Sequence, residues 1–202
     1  MAYPWRYLAG ADLARELLEN RRIAVVRGVC QAPVPPAGWR RRKESSGGQM
    51  VLEATDLLDM ARCFGGELAA ISAVRFQGII AARVSDYDIE DAIAAAIRFC
   101  TGAVGELIVT NISPRPESAL TIIADDLELR LTEEALEVVE PGKRTTLQHP
   151  EPGLLACQRS FLEAVRTGDA KLVRTPYAEA VRTLEAALAA NKSAESGNVI
   201  VL

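Results

Sequence analysis

From residue 91 onward, β-type segments follow one another too closely to be joined by crossovers. Residues 91–100 and 103–112 read as two arms of a hairpin turning at Thr101-Gly102, and 119–124, 127–131, 136–139 and 144–148 follow. Asp125-Asp126 and Glu140-Pro141-Gly142-Lys143 supply the turns. Parallel neighbours need a dozen or more connecting residues, so these strands must run antiparallel. A further strand is expected at 67–76. Before it come an amphipathic helix at 11–20 (Leu13, Leu17, Leu18), a β-branched strand at 22–30 and a proline-rich loop at 31–39. Helices at 153–167 and 176–191 and a short strand at 198–202 close the chain. Thr175 is the expected N-cap of the second of these helices, with Pro176 at its first position. The implied class is α+β: one domain over residues 1–202, a mostly antiparallel open sheet with helices on one face.

The stretch Glu44 to Glu67 reads as the helix around which the rest is arranged. Ser46 followed by Gln49 has the spacing of a capping box, and Gly65-Gly66 marks a stop. Met50, Ala54, Leu57, Leu58, Ala61 and Phe64 fill one broad face at helical spacing. Leu52, Asp56, Asp59 and Cys63 fall on a narrow stripe opposite. That stripe either places two carboxylates at a site or simply solvates an exposed surface. Just upstream, Trp39-Arg40-Arg41-Arg42-Lys43 sets a basic run beside an aromatic. With a formal net charge of −4 and only one such run, a solvated or anion-contacting loop is expected rather than a nucleic-acid contact.

Two strands are apolar on both sides. In GELIVTNI, Leu107 and Val109 point one way and Ile108 and Ile112 the other, and ALTIIA behaves likewise. Such strands need cover on both faces. Helices can supply one side, and a second copy of the chain, or else loops or the N-terminal helix, the other.

Several chemistries lack their residues. There is no G-x-G-x-x-G after a strand and no phosphate-binding G-x-x-x-x-G-K-[ST]. One histidine, His149, and four scattered cysteines cannot compose a zinc site of ordinary spacing. His149 sits before Pro150 and reads as a surface residue; no G-x-S-x-G accompanies it. The cysteines lack a C-x-x-C pair and read as reduced thiols, mostly buried. With no run of about 18 apolar residues and no signal-peptide core, a soluble cytoplasmic protein is expected, without membrane or nucleic-acid partners.

Here the residues carry a resemblance. Gly47-Gly48-Gln49-Met50-Val51, Ala54-Thr55, Leu58-Asp59 and Gly66-Glu67 resemble the central helix of the C-terminal domain of the Gfo/Idh/MocA (glucose–fructose oxidoreductase and inositol dehydrogenase) family. Asp91, Phe99, Thr101-Gly102-Ala103 and Gly105 resemble its hairpin. The run from Phe161 to Asp169 resembles its penultimate helix. Thr183-Leu184, Ala187, Ser193-Ala194, Ser196-Gly197 and the terminal strand resemble its end. The ordered set spans nearly the whole chain.

The resemblance implies a substrate-binding and dimerisation domain whose dinucleotide-binding partner domain, with the lysine of its Glu-Lys-Pro motif, is absent. Where the family often has an acidic residue and, four positions on, a histidine, this chain has Leu52 and Asp56; Asp59 keeps the acid that commonly follows. Alcohol oxidation needs a hydride acceptor and a base, so no catalytic residue is assigned and activity of the chain alone is not expected. The expected function is binding of a small polar, sugar-like ligand together with self-association through the open sheet face. Candidate ligand-binding residues are Trp39, Arg40, Arg42, Lys43, Gly47, Gly48, Asp56 and Asp59. No metal or cofactor is assigned to this chain; NAD(P) would come only from a separate Rossmann-type domain or chain. The alternatives are a purely structural oligomerisation module and a fragment of an NAD(P)-dependent sugar or polyol dehydrogenase.

Overall fold

A computed structural model describes residues 2–36 and 38–202. It contains a nine-stranded sheet: β1 (Ile23–Gln31), β2 (Leu68–Phe76), β3 (Ala92–Phe99), β4 (Val104–Thr110), β5 (Glu117–Ala124), β6 (Leu127–Thr132), β7 (Ala135–Glu140), β8 (Lys143–Gln148) and β9 (Ile200–Val201). Their order across the sheet is β8-β7-β6-β5-β1-β4-β3-β2-β9. Every neighbouring pair is antiparallel except β1–β4. The meander from β5 to β8 and the β3–β4 hairpin are as the turn residues require. The insertion of β1 between β4 and β5 is not foreshadowed by any local pattern.

The helices are α1 (Ala9–Leu18), α2 (Lys43–Ser46), α3 (Gln49–Leu52), α4 (Thr55–Gly65), α5 (Gly153–Thr167) and α6 (Tyr177–Ser196). On the sheet's covered face α1 meets β6 and β7, α4 meets β1 and β5, and α6 meets β2. Alternation of buried and exposed residues along the strands sends Val26, Ile71, Ile93, Leu107, Leu120, Ile122, Leu129 and Leu131 into this core. Small residues let α6 lie close: Ala180, Ala186, Ala187, Ala189 and Ala190 are all buried. Gly28 is required by packing, since a Cβ there would come within 2.1 Å of the Leu107 side chain.

The expected central helix is three pieces. Gly47 (φ 77°) and Gly48 (φ 85°) adopt left-handed backbone, where residues with a Cβ are strained, and interrupt it. No capping box forms. The Gln49 N–H instead donates to Glu90 Oε1 at 2.7 Å, and the Ser46 hydroxyl accepts from the Gly48 N–H. A second irregularity follows, where the Ala54 N–H reaches the Gln49 carbonyl. The apolar face survives the breaks: Met50, Ala54, Leu57, Leu58 and Ala61 are buried, with Phe64 packed against them. The stop is as expected, at Gly66 (φ 90°).

Other expectations are corrected. Pro176 itself occupies the N-cap position of α6, so it is not the first helical residue. Thr175 is buried with its hydroxyl unpartnered and makes no cap. His149 is half-buried: its Nδ1 accepts from the Gly10 N–H at 3.3 Å and its Nε2 lies 3.2 Å from the Thr132 carbonyl, tying α1 to the sheet. Of the cysteines, Cys30 and Cys157 are buried, Cys63 is intermediate and Cys100 is exposed; all four are free.

The opposite sheet face is open. Val74, Phe76, Val104 and Ile108 project from it, Val74 with 71% of its surface exposed. Helix α5 packs against the 3-10 turn Pro4–Tyr7 instead of the sheet, burying only Cys157 and Ala164 and leaving Phe161, Leu162 and Val165 exposed. No helix among the described residues is long and apolar enough to cross a membrane.

Candidate functional site

The two aspartates of α4 occupy opposite situations. Asp59 is fully buried, which corrects the expectation of an outward carboxylate stripe. Its carboxylate accepts two bonds from Arg6, at 2.6 Å from Nε and 2.8 Å from Nη2, and one from the Thr183 hydroxyl at 3.1 Å. Thr183 in turn accepts from Arg62 Nη1 at 2.7 Å, and Arg62 reaches Glu67 and Glu179. This network joins the N-terminal turn, α4 and α6. A bidentate guanidinium plus a hydroxyl satisfies a buried carboxylate. Asp59 is a structural tie.

Asp56, three residues earlier, accepts no hydrogen bond from protein among the described residues and lines a cleft of about 600 Å³. Burial, and then the charges of Asp59 and Glu133, push its pKa up to about 6. The cleft is bounded by Leu52 and Leu57 from the helical segments, Trp5 from the N-terminal turn, Cys30 at the end of β1, and Thr132 and Glu133 at the β6–β7 turn. The Trp5 indole N–H donates to Glu133 Oε1 at 3.4 Å. Glu53 and Glu117 also line the cleft, but each has a guanidinium partner: Arg40 at 2.8 Å and Arg130 at 2.6 Å.

Of the eight candidate ligand residues, only Asp56 faces this space. Arg40 touches its margin through Glu53. Trp39 is 57% exposed on the short 3-10 turn Gly38–Arg41. Lys43 pairs with Glu90 and Glu195, and the Arg42 carbonyl accepts from Ser46. Arg41 binds the Pro35 carbonyl and Asp86. Much of the basic run is thus engaged within the protein. The Gly47 carbonyl accepts from Asn191 Nδ2 at 2.7 Å, and a Cβ on Gly48 would collide with Glu90 and Lys43. The glycine pair is therefore explained by packing. Trp5 and Glu133 were not singled out from the sequence; nothing in their local pattern connects them to α4, and only the acidic pair Glu133-Glu134 at a turn hints at a polar rim.

No protein-family model matches the chain, and no curated protein matches it. Solved structures do. Levoglucosan dehydrogenase superposes with a TM-score of 0.80 at 20% identity, over 100% of this chain and 65% of that one. UDP-N-acetylglucosamine 3-dehydrogenase from Acidithiobacillus ferrooxidans gives 0.78 at 16% identity, over 96% and 60%. An oxidoreductase from Agrobacterium radiobacter, solved with NAD+, L-tartaric acid and magnesium, gives 0.75 at 18%, over 98% and 63%. The fold is that of the C-terminal domain of Gfo/Idh/MocA-type oxidoreductases. The chain spans somewhat under two thirds of the length of these structures.

Among the described residues, no turn from a strand into a helix has the glycine-rich form that cradles a dinucleotide. The one parallel pair, β1–β4, lacks a glycine-rich turn leading from strand to helix, because β1 runs into the Pro33–Pro36 loop. At α5, a Cβ on Gly153 would lie 2.6 Å from the Pro4 carbonyl, so that helix start is closed by the N-terminal turn. Nor do three His, Cys, Asp or Glu side chains among the described residues converge as metal ligands.

Proposed function

We propose that residues 1–202 act as one ligand-binding, self-associating domain that takes a small polyhydroxy, sugar-like molecule in the cleft beside Asp56 and carries out no hydride transfer alone. The supporting observation is Asp56: an unpartnered carboxylate, raised toward neutrality, at the edge of a cleft on the central helix. A carboxylate with free acceptor sites suits ligand hydroxyls. The names of the neighbours, dehydrogenases of levoglucosan and of a nucleotide sugar, agree with that class. Leu52 cannot ionise, and Glu53, between α3 and α4, is held by Arg40, so Asp56 is the titratable group of α4 that faces the cleft without a partner among the described residues. Redox chemistry here would draw NAD(P) from a separate Rossmann-type chain. A cytoplasmic setting accords with the four free thiols.

Calorimetric titration with levoglucosan, D-glucose and myo-inositol tests this reading. Saturable binding by at least one, lost in Asp56→Ala, is expected; no binding by any would overturn it. Reduction of NAD+ by the pure chain with any of these polyols would overturn the second half.

The open sheet face favours the oligomerisation part of the proposal. Val74, Ile108 and Val29 lie along one row across the strands, next to the Arg27–Glu106 ion pair at 2.9 Å. An apolar row of this kind suits a second copy of the same sheet. Light scattering should report a dimer, and Ile108→Lys should shift it to monomer while changing folding stability by less than about 0.5 kcal/mol.

A further inference from the structure

The connection from β2 to β3, residues 77–91, builds a small core of its own. It contains neither helix nor strand between Phe76 and Ala92, and connections this long in a compact domain usually carry function. Its base is closed where the Asp91 N–H donates to the Phe76 carbonyl at 2.8 Å, the compact outline of an Ω-loop. The Asp91 carboxylate accepts from the Ile79 N–H at 2.6 Å and the Ile80 N–H at 3.2 Å, and the Tyr87 hydroxyl donates to the Glu90 carbonyl at 2.9 Å. Ile80, Tyr87 and Ile89 are buried together, with Val34 and Val84 packed on them, in a cluster separate from the main core. This cluster underlies a pocket of about 310 Å³ whose walls are Val34, Ile79, Ile80, Val84 and Ile112. Arg83 supplies its one polar side chain, and the pocket shares no residue with the cleft beside Asp56.

Arg83 is the one basic residue of the loop, and the loop's four carboxylates are all engaged elsewhere. Asp86 pairs with Arg41 at 3.1 Å, and Asp88 accepts from the Lys43 backbone N–H. Glu90 takes the Lys43 ammonium and the Gln49 N–H, and Asp91 the two isoleucine amides. An exposed arginine needs no partner in itself. This one, however, stands at the rim of a pocket otherwise lined by hydrocarbon, where Ile79 and Ile112 are also exposed. A polyol would lose its hydrogen bonds against these walls and an amine would meet like charge. A short hydrocarbon ending in an anion satisfies both parts, since a guanidinium matches a carboxylate in shape and charge. The volume lies at the lower end of the roughly 300–1,000 Å³ of ligand pockets, which suits a short acid rather than a long chain.

We propose that the β2–β3 loop forms a second ligand site, one that takes a small aliphatic carboxylate with its hydrocarbon among the five aliphatic side chains and its carboxylate on Arg83. The site is independent of the cleft beside Asp56.

The test is methyl NMR titration of the full chain at neutral pH and low salt with isovalerate, its uncharged amide isovaleramide, and isoamylamine. Isovalerate should shift the methyls of Ile79, Ile80, Val84 and Ile112 saturably, and should bind at least about fivefold more tightly than the amide, because a charge-assisted bond exceeds a neutral one. The amine should not bind measurably. Arg83→Gln, at an exposed position where an unchanged melting temperature checks folding, should bring the acid down to the affinity of the amide and leave the amide unchanged. Equal binding of acid and amide by the unaltered chain would overturn the role of Arg83, as would an undiminished preference in Arg83→Gln. No saturable shift, or shifts centred on Leu52 and Leu57 of the other cleft, would overturn the pocket itself.

Discussion

Asp56 and Asp59 are one helical turn apart on α4, share a side-chain type, and do opposite work. Asp59 is sealed among Arg6 and Thr183, with acceptors filled. Asp56 is only partly buried and accepts no hydrogen bond from the described residues, and desolvation pushes its pKa up. A buried carboxylate with partners holds a structure together. One without partners strains the structure and is available to something else. Partner count, together with burial, separates the structural acid from the candidate binding acid.

The largest effect should come from breaking the tie. Asp59→Asn leaves the Arg6 guanidinium without its countercharge, and loss of one member of a buried pair costs about 3–5 kcal/mol. Urea unfolding should show it as a lower midpoint; an unchanged midpoint would erase the distinction between the two residues. The converse change should stabilise. The Asp56 pKa is pushed from the ordinary 3.8 up to about 6 in the fold, so the folded state binds its proton more tightly than the unfolded chain. Its ionisation therefore opposes folding: stability falls as pH rises from about 4 to 6, and the cost is fully present above that. Asp56→Asn should gain about 2–3 kcal/mol at pH 7, and the gain should vanish near pH 4. Denaturation curves across that range check both sign and window.

Two smaller changes sharpen the contrast. Thr183→Val removes the hydroxyl that bridges Asp59 and Arg62 and should cost about 1–3 kcal/mol by unfolding. Glu133→Gln removes one of the charges that raise Asp56. Its effect is a downward shift of the Asp56 titration, read by carboxyl NMR, with little change in stability. An upward shift would mean that burial and charge had been wrongly apportioned.

The sequence carries the strands clearly because alternation and turns are local. The turns at Asp125-Asp126 and Gly142 and the stop at Gly66 each act within a few residues. The position of β1 was not legible, since its partners are strands β4 and β5 and a parallel pairing leaves no turn to mark it. The role of Asp59 was hidden for the same reason. Helical spacing reports a direction on the helix, while Arg6 and Thr183 lie 53 and 124 positions away. The Gly47-Gly48 pair was visible as glycine, but two readings fit it. Only the approach of Glu90 shows that the pair shapes the backbone. Trp5 and Glu133 come to the cleft from remote segments, so the part of the site built by tertiary contact had no signature in the chain.

The intercalated β1 also governs the order of assembly. Each antiparallel run can zip up from its own turns, but the two halves become one sheet only when Val25 is flanked by Val104 and Ile123. Long loops must close for that step, and such closures slow folding more than hairpins do. During synthesis, β1 leaves the ribosome before β4 and β5 and must wait for both with its edges unpaired, so the nascent chain has an interval in which it is open to a chaperone or to mispairing.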